Sequence, residues 1–393
     1  MTRVDPLVSG FIQKGQYPVP IKEHDMKPLL AILAFCLCVA LAGCGGGSTS
    51  SNSQTPTPSP PSSPQSVQLE VLHPPATGQP YGSDVQTYLM SNPVVSGANF
   101  FVEWAAVDQG PSANPQYDFS SVDSQLQSWI AAGKKVNLVV WPVADATVNT
   151  STPTYVLNNL GAANTTLCNG TEVTPNYFSA DFQTPYKAFI QALLQHYTGN
   201  TSIGYIRIGL AQGGETYPNL GFDSQSSCST AFTNWGWTAT SWTNYLTSML
   251  DYEASLKPSM QLMVGINTVN QDTSIPDAVA ADAVSHKFGF GSQGLEASDL
   301  TNFGAGAPCT ADWCALFDKY QGQVPLELQT ATQSSPDNTG LTGSLTNLLP
   351  FAVQHHTTIL ELYWEDWLTA FDPTYPGYDA SYATAIQAAA TGQ

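Results

Sequence analysis

The chain has 393 residues, with 30 acidic against 11 basic side chains, a formal charge of −19 and a pI near 4.3. Hydrophobic residues make up 42%, which excludes global disorder, and so acidic a balance excludes the basic face that a nucleic-acid partner needs. Charged residues are only 10%, and the few cations are spread unevenly along the chain.

Residues 1–25 fit no secretory pattern, since Glu23 and Asp25 stand just before an apolar run, and they read as an extension upstream of a true start at Met26. From Met26-Lys27 to Gly43 the order is a basic residue, a short apolar stretch and small residues, the pattern of a secretory signal. A transmembrane helix would need about 20 apolar residues, more than this run supplies. Its end, Leu41-Ala42-Gly43-Cys44, resembles the bacterial lipobox. That resemblance implies a lipid on Cys44 and an extracytoplasmic domain in the bacterial cell envelope, touching the membrane through the lipid alone. Residues 44–66 are rich in Gly and Ser and then in Pro, a composition that makes a tether. Taking away residues 1–43 removes Arg3, Lys14, Lys22 and Lys27 with three acids, which leaves seven basic and 27 acidic residues. One of the seven, Arg207, is the exported chain's sole arginine.

From residue 67 to 393 strand-like and helix-like patterns alternate. Short runs of Val, Ile, Leu and aromatics bounded by Gly, Pro, Asn or Asp predict strands at 67–73, 99–107, 135–143 and 203–210, and again at 261–269, 288–294, 324–330 and 358–363. Between them lie helical faces. Val122, Leu126, Trp129 and Ile130 mark one, with Ser120 as its cap; Phe189, Ile190, Leu193, Leu194 and Tyr197 mark another; Trp242, Tyr245, Leu246 and Met249 mark a third. Stretches 341–355 and 379–390 close the series, and the His355-His356 pair late in the first of them is expected at the surface. Eight strands separated by helices predict an α/β fold, a single (β/α)8 TIM barrel. The competing doubly wound sheet announces itself by a Gly-rich turn after its first strand, where this chain has His73-Pro74-Pro75.

In a barrel the chemistry sits at the C-terminal strand ends. The fourth strand runs into Gly209-Leu210-Ala211-Gln212-Gly213-Gly214-Glu215, whose glycines let the backbone bring Glu215 over the mouth. The seventh carries Glu327 between leucines, a costly place for a carboxylate that is neither paired nor used. The eighth carries Glu361, with Glu365 just past it, so Glu327, Glu361 and Glu365 all compete for one role. Two facing carboxylates are the machinery of glycoside hydrolysis. Trp104, Trp141, Trp364 and Trp367 fall at or beyond predicted strand ends, where indole faces stack on sugar rings. Gln212, Tyr217 and Glu365 join them as candidate substrate contacts, while Trp235 and Trp237 would rim the cleft and Trp129 and Trp242 belong to helix packing. Arg207 needs a buried acid partner, with Glu70, Glu103 and Glu361 in reach by strand position. Of the cysteines beyond the lipobox, Cys309 and Cys314 are close enough to clip one loop, which leaves Cys168 for Cys228 across the loops after strands three and four. Stretch 144–180 between the third strand and the next helix reads as one long loop. No metal set and no cofactor motif is expected, and the domain reads as a monomer.

These positions resemble the large clan of retaining glycoside hydrolases with a (β/α)8 barrel. Glu215 after strand four matches that clan's acid/base, Glu327 on strand seven matches its nucleophile, and the segment Tyr117-Asp118-Phe119 to Val136 is similar to the clan's. The clan has Asn immediately before its acid/base, where this chain has Gly214; Gln212 is the candidate for the missing amide. Gly214-Glu215-Thr216-Tyr217-Pro218 is also similar to the acid-bearing loop of the β-amylase family, which inverts. The resemblance implies a surface-anchored hydrolase of a poly- or oligosaccharide. A barrel lipoprotein that binds carbohydrate without cleaving it is the alternative, and an envelope scaffold without a ligand is a third.

Overall fold

The strands of this chain alternate apolar and polar side chains in a way that a closed barrel satisfies. A computed structural model describes residues 66–393, apart from 76–84, 145–148, 169–171, 223, 270–271, 303–311, 335–339 and 393. The expectations for Cys44, Cys309 and residues 1–65 lie outside the described residues. Among the described residues no helix is long and apolar enough to cross a membrane.

Eight strands form the barrel: β1 Gln68–Leu72, β2 Gly97–Glu103, β3 Lys135–Trp141, β4 Ile203–Ile208, β5 Gln261–Gly265, β6 Gly289–Leu295, β7 Leu326–Thr330 and β8 Ile359–Tyr363. Each pairs in parallel with its sequence neighbour, and β1 closes on β8 with Glu70 beside Glu361. All eight expected strands are present, and the architecture is the TIM barrel. Leu69, Val71, Ala98, Phe100, Val102, Ile206 and Ile208 belong to one continuous apolar core that includes the helices. The surrounding helices meet it with the expected stripes: Phe182, Tyr186, Phe189, Ile190, Leu193 and Leu194 are buried on helix Ala180–His196. Trp129 and Trp242 are fully buried, as their helical spacing required.

The alternate strand residues make a polar layer inside the barrel, where most barrels carry branched apolar side chains. Asn137 Nδ2 donates to Asn99 Oδ1 at 2.8 Å, and the Tyr205 hydroxyl donates to Glu361. Arg207 is buried at the centre. Its Nη1 pairs with Glu327 and reaches Glu361 Oε2 at 3.5 Å, and its Nη2 donates to Gln329 Oε1 at 3.3 Å. The arginine therefore has buried acid partners, but they are Glu327 and Glu361, not Glu70 or Glu103. Desolvation works against the cation, and the two carboxylates more than offset it, holding Arg207 protonated. Glu70, buried with Oε2 unpartnered, is pushed up to about 8 by desolvation and by Glu361.

Several local expectations change. β2 stops at Glu103 and turns into a short helix, Trp104–Val107, so the chain leaves the barrel wall four residues early. Ser120 is the first helical residue of Ser120–Ala131 and not its cap; its N–H is accepted by Asp118 Oδ1 at 3.0 Å. The stretch 144–180 holds a helix, Thr154–Leu160, and a hairpin, Thr165–Cys168 with Glu172–Pro175. Cys168 is bonded to Cys228, which ties this excursion to the loop after β4, and Cys314 is also in a disulfide. An additional helix, Trp364–Phe371, follows β8 directly. His355 is buried against Asp318, Nδ1 to Oδ1 3.1 Å, and only His356 of that pair is exposed.

Candidate active site

The loop after β4 is pressed flat across the mouth because its glycines leave no Cβ in the way. A Cβ on Gly209 would meet the Gly214 Cα at 2.6 Å, so β4 and the loop can touch only as bare backbone. Gly214 has φ +79° and lies against Trp141, whose indole carbon would be 3.1 Å from a Cβ there. A side chain at this position would meet the Trp141 indole and the Val140 carbonyl, which a glycine avoids. Buried aromatic donors then hold the loop carbonyls. Tyr186 donates to Gly209 at 2.6 Å, Tyr245 to Leu210 at 2.7 Å, Trp242 to Thr216 at 2.7 Å and Tyr177 to Pro218 at 3.0 Å.

Glu215 is thereby fixed at the mouth with 6% exposure, and Asn267 Nδ2 donates to its Oε2 at 2.9 Å. Asn267 follows β5, and its own backbone is locked to Thr216 Oγ1, which it meets at 2.7 Å through both N–H and carbonyl. The amide beside Glu215 is that of Asn267, not Gln212. Gln212 is fully buried and structural: its Nε2 donates to the Ala144 carbonyl at 3.1 Å and its Oε1 accepts from the Leu220 N–H at 2.6 Å. Gln293 of β6 donates to the Gly213 carbonyl at 3.4 Å, and Gln329 of β7 stands two residues above Glu327. Four consecutive strands thus bring one carboxylate and three amides to one side.

The other four bring rings. His73, just past β1, lies parallel to Phe101 of β2 with centroids 4.1 Å apart, and 5.9 Å from Tyr363 of β8. Phe101 in turn meets Trp141 of β3 edge-on at 4.7 Å. Trp141 is half-buried with its indole N–H unpartnered, the one expected tryptophan that the structure brings to this wall. Trp104 and Trp367 are not there. Trp104 is fully buried against Phe182, Tyr186 and Phe189, because the early end of β2 turns it outward to the helices, and its Nε1 donates to Asp108 at 3.0 Å. Trp367 is fully buried in the core and stacks on Phe371 within the helix after β8. Trp364 and Tyr217 are half-buried, and Trp235 and Trp237 pack on Phe232 and Phe222 beneath the loops.

The remaining carboxylates differ in setting. Glu327 has no solvent exposure; Arg207 holds Oε1 and leaves Oε2 buried and unpartnered. Burial pushes its carboxyl up to about 8, and Arg207 offsets only part of that rise. Glu361, equally buried, is engaged by Tyr205 and Arg207. Glu365, in the first turn after β8, is pushed up to about 7 by burial and keeps Oε2 unpartnered. Glu103 accepts from Thr150 Oγ1 at 3.2 Å. Among the described residues one group has metal-ligand spacing, Asp251, Asp282 and His286, and it lies on the outer helices toward the opposite end of the barrel. His73, Asn267, Gln293 and Gln329 were not singled out from sequence. For His73 a signal existed, a polar ring at the C-terminal end of the first barrel strand.

No family model and no curated protein matches the chain. Its structure is similar to the catalytic domain of β-amylase from Paenibacillus polymyxa, with 13% identity and a TM-score of 0.54 over 84% of this chain and 100% of that one. Lower scores relate it to a thermostable xylanase mutant from Cellvibrio japonicus, with 9% identity and 0.46 over 82% and 97%, and to a β-galactosidase from Bacillus circulans sp. alkalophilus, with 10% identity and 0.48 over 76% and 50%. At such identities the likeness to the β-amylase domain is one of fold, the closed eight-stranded parallel barrel.

Proposed function

We propose that the chain is a glycoside hydrolase acting on a poly- or oligosaccharide, with Glu215 as acid/base and Glu327 as the second carboxylate. The observation that carries this reading is Glu215 itself, clamped by Asn267 at the barrel mouth, next to a Gly214 that lies against Trp141 of the aromatic wall. A sugar ring stacks on such a wall by its apolar face while its glycosidic oxygen meets the acid. Glu215 protonates the leaving oxygen as the bond to the anomeric carbon breaks. Glu327 then attacks that carbon through Oε2, reacting as the carboxylate of its ion pair with Arg207. Water, deprotonated by Glu215, completes the cycle and restores both carboxyls. Export and a lipid on Cys44 are part of the same proposal and rest on the lipobox-like segment.

The exclusion of solvent from Glu327 favours a second reading, carbohydrate binding without turnover. Aryl glycosides assayed with the wild-type protein and with Glu215→Gln and Glu327→Gln separate the two. Hydrolysis lost in both variants, with retained anomeric configuration by proton NMR, is the expected result. Sugar binding with no turnover in the wild type would overturn the enzyme reading.

A further inference from the structure

His73 stands out as a polar ring in a costly backbone conformation at the C-terminal end of β1. It has φ +49°, a left-handed backbone that a non-glycine residue adopts at a cost, and one that Asn would adopt more readily. The turn swings the imidazole out of line with β1 and over the mouth, flat on Phe101 with an interplanar angle of 4°. The stack fixes the plane of the ring and leaves both edges open. The residue is exposed to the mouth, and among the described residues neither ring nitrogen has a hydrogen-bond partner. Desolvation by its neighbours and the Arg207 cation hold its titration down at about 4, so at neutral pH the ring is uncharged. A neutral imidazole offers one donor and one acceptor. A sugar hydroxyl, which donates once and accepts twice, can satisfy either edge, whereas an imidazolium could only donate.

We propose that His73 is a substrate-contacting, specificity-determining residue whose ring edge hydrogen-bonds a hydroxyl of the sugar held between Glu215 and the aromatic wall. The proposal rests on the glycosidase reading, and its tests keep the two apart. His73→Ala should raise KM about tenfold, the worth of one hydrogen bond, while kcat changes much less. His73→Asn, which tolerates the turn and keeps a donor and an acceptor, should recover part of that loss. A substrate lacking the contacted hydroxyl should be cleaved equally well by wild type and His73→Ala. In histidine-labelled Glu215→Gln, the His73 ring nitrogens should shift in NMR spectra when uncleaved oligosaccharide is added, a readout that does not need His73→Ala to fold. An active wild type with His73→Ala kinetics unchanged, or with no shift of those nitrogens at saturating sugar, overturns the role of His73 alone. If neither wild type nor Glu215→Gln cleaves or binds any glycoside, the glycosidase reading falls and His73 with it.

Discussion

The two halves of the barrel mouth are built from different chemistry. β4 to β7 supply Glu215, Asn267, Gln293 and Gln329, while β8, β1, β2 and β3 supply Tyr363, His73, Phe101 and Trp141. The first half is tied to the loops and to Arg207 by hydrogen bonds, so its groups are held at fixed positions before a ligand arrives. The second half is held by ring contacts, which fix the planes of His73, Phe101 and Trp141. The proposed function implies a division of labour, in which the polar half would move protons and the aromatic half would hold sugar.

The strongest test of that division is Glu215→Gln, which should lower kcat by about 10²–10⁴-fold with little change in binding. A variant that bound sugar far more weakly but turned it over normally would reverse the assignment. Beneath both halves, Arg207→Met should cost about 3–5 kcal/mol in denaturant unfolding, because Glu327 and Glu361 stay buried without their cation. If the milder Arg207→Lys holds Glu327 less well, the acidic limb of the rate profile moves to higher pH, since Arg207 is what pulls that carboxyl down.

A control lies outside the mouth. Glu253, on helix Ala239–Ser255, is fully buried with both oxygens unpartnered, and burial pushes its carboxyl well up. Glu253→Met should stabilise the fold by about 1–3 kcal/mol and leave the rates alone, which separates a merely buried acid from a working one. In the aromatic half, Trp141→Ala should raise KM about tenfold and spare kcat, in line with one stacked ring. A fall in kcat alone would place Trp141 with the polar half instead.

The smallest effect is on pH stability. Glu70 and Glu365 are raised from an ordinary 4.5 to about 8 and about 7. Between those values the unfolded chain has already lost protons that the folded chain keeps, so rising pH stabilises the unfolded state. Their contribution is therefore whole below about pH 4.5 and disappears as pH approaches 8. Tm should be higher at pH 5 than at pH 8 by about 5 °C. A Tm that climbs with pH would contradict the burial of these two acids.

Much of this was legible in the chain. Strand and helix periods differ, so eight alternations were enough to expect the barrel, and strand order alone put Glu215 after β4 and Glu327 on β7. The closeness of Cys309 to Cys314 left Cys168 for Cys228, the pair the structure bonds, and the burial of a lone arginine was enough to require an acid. Trp104 misled because periodicity says which residues are apolar but not where a strand stops; β2 ends at Glu103, four residues early, and Trp104 begins a helix and packs against the outer helices. Gln212 misled because nearness in sequence to Glu215 is not nearness of its amide, which the loop uses on Ala144 and Leu220.

What the sequence determined, then, is whatever depends on local pattern: the elements, their order, and which strands carry carboxylates. What only the tertiary structure decided is which side chains share the mouth. Asn267, Gln293, Gln329 and His73 stand far apart in the chain and acquire a common role only when β1 closes on β8. Closure sets each strand's height and inward face together, so a single residue's position in the mouth is a property of the whole ring.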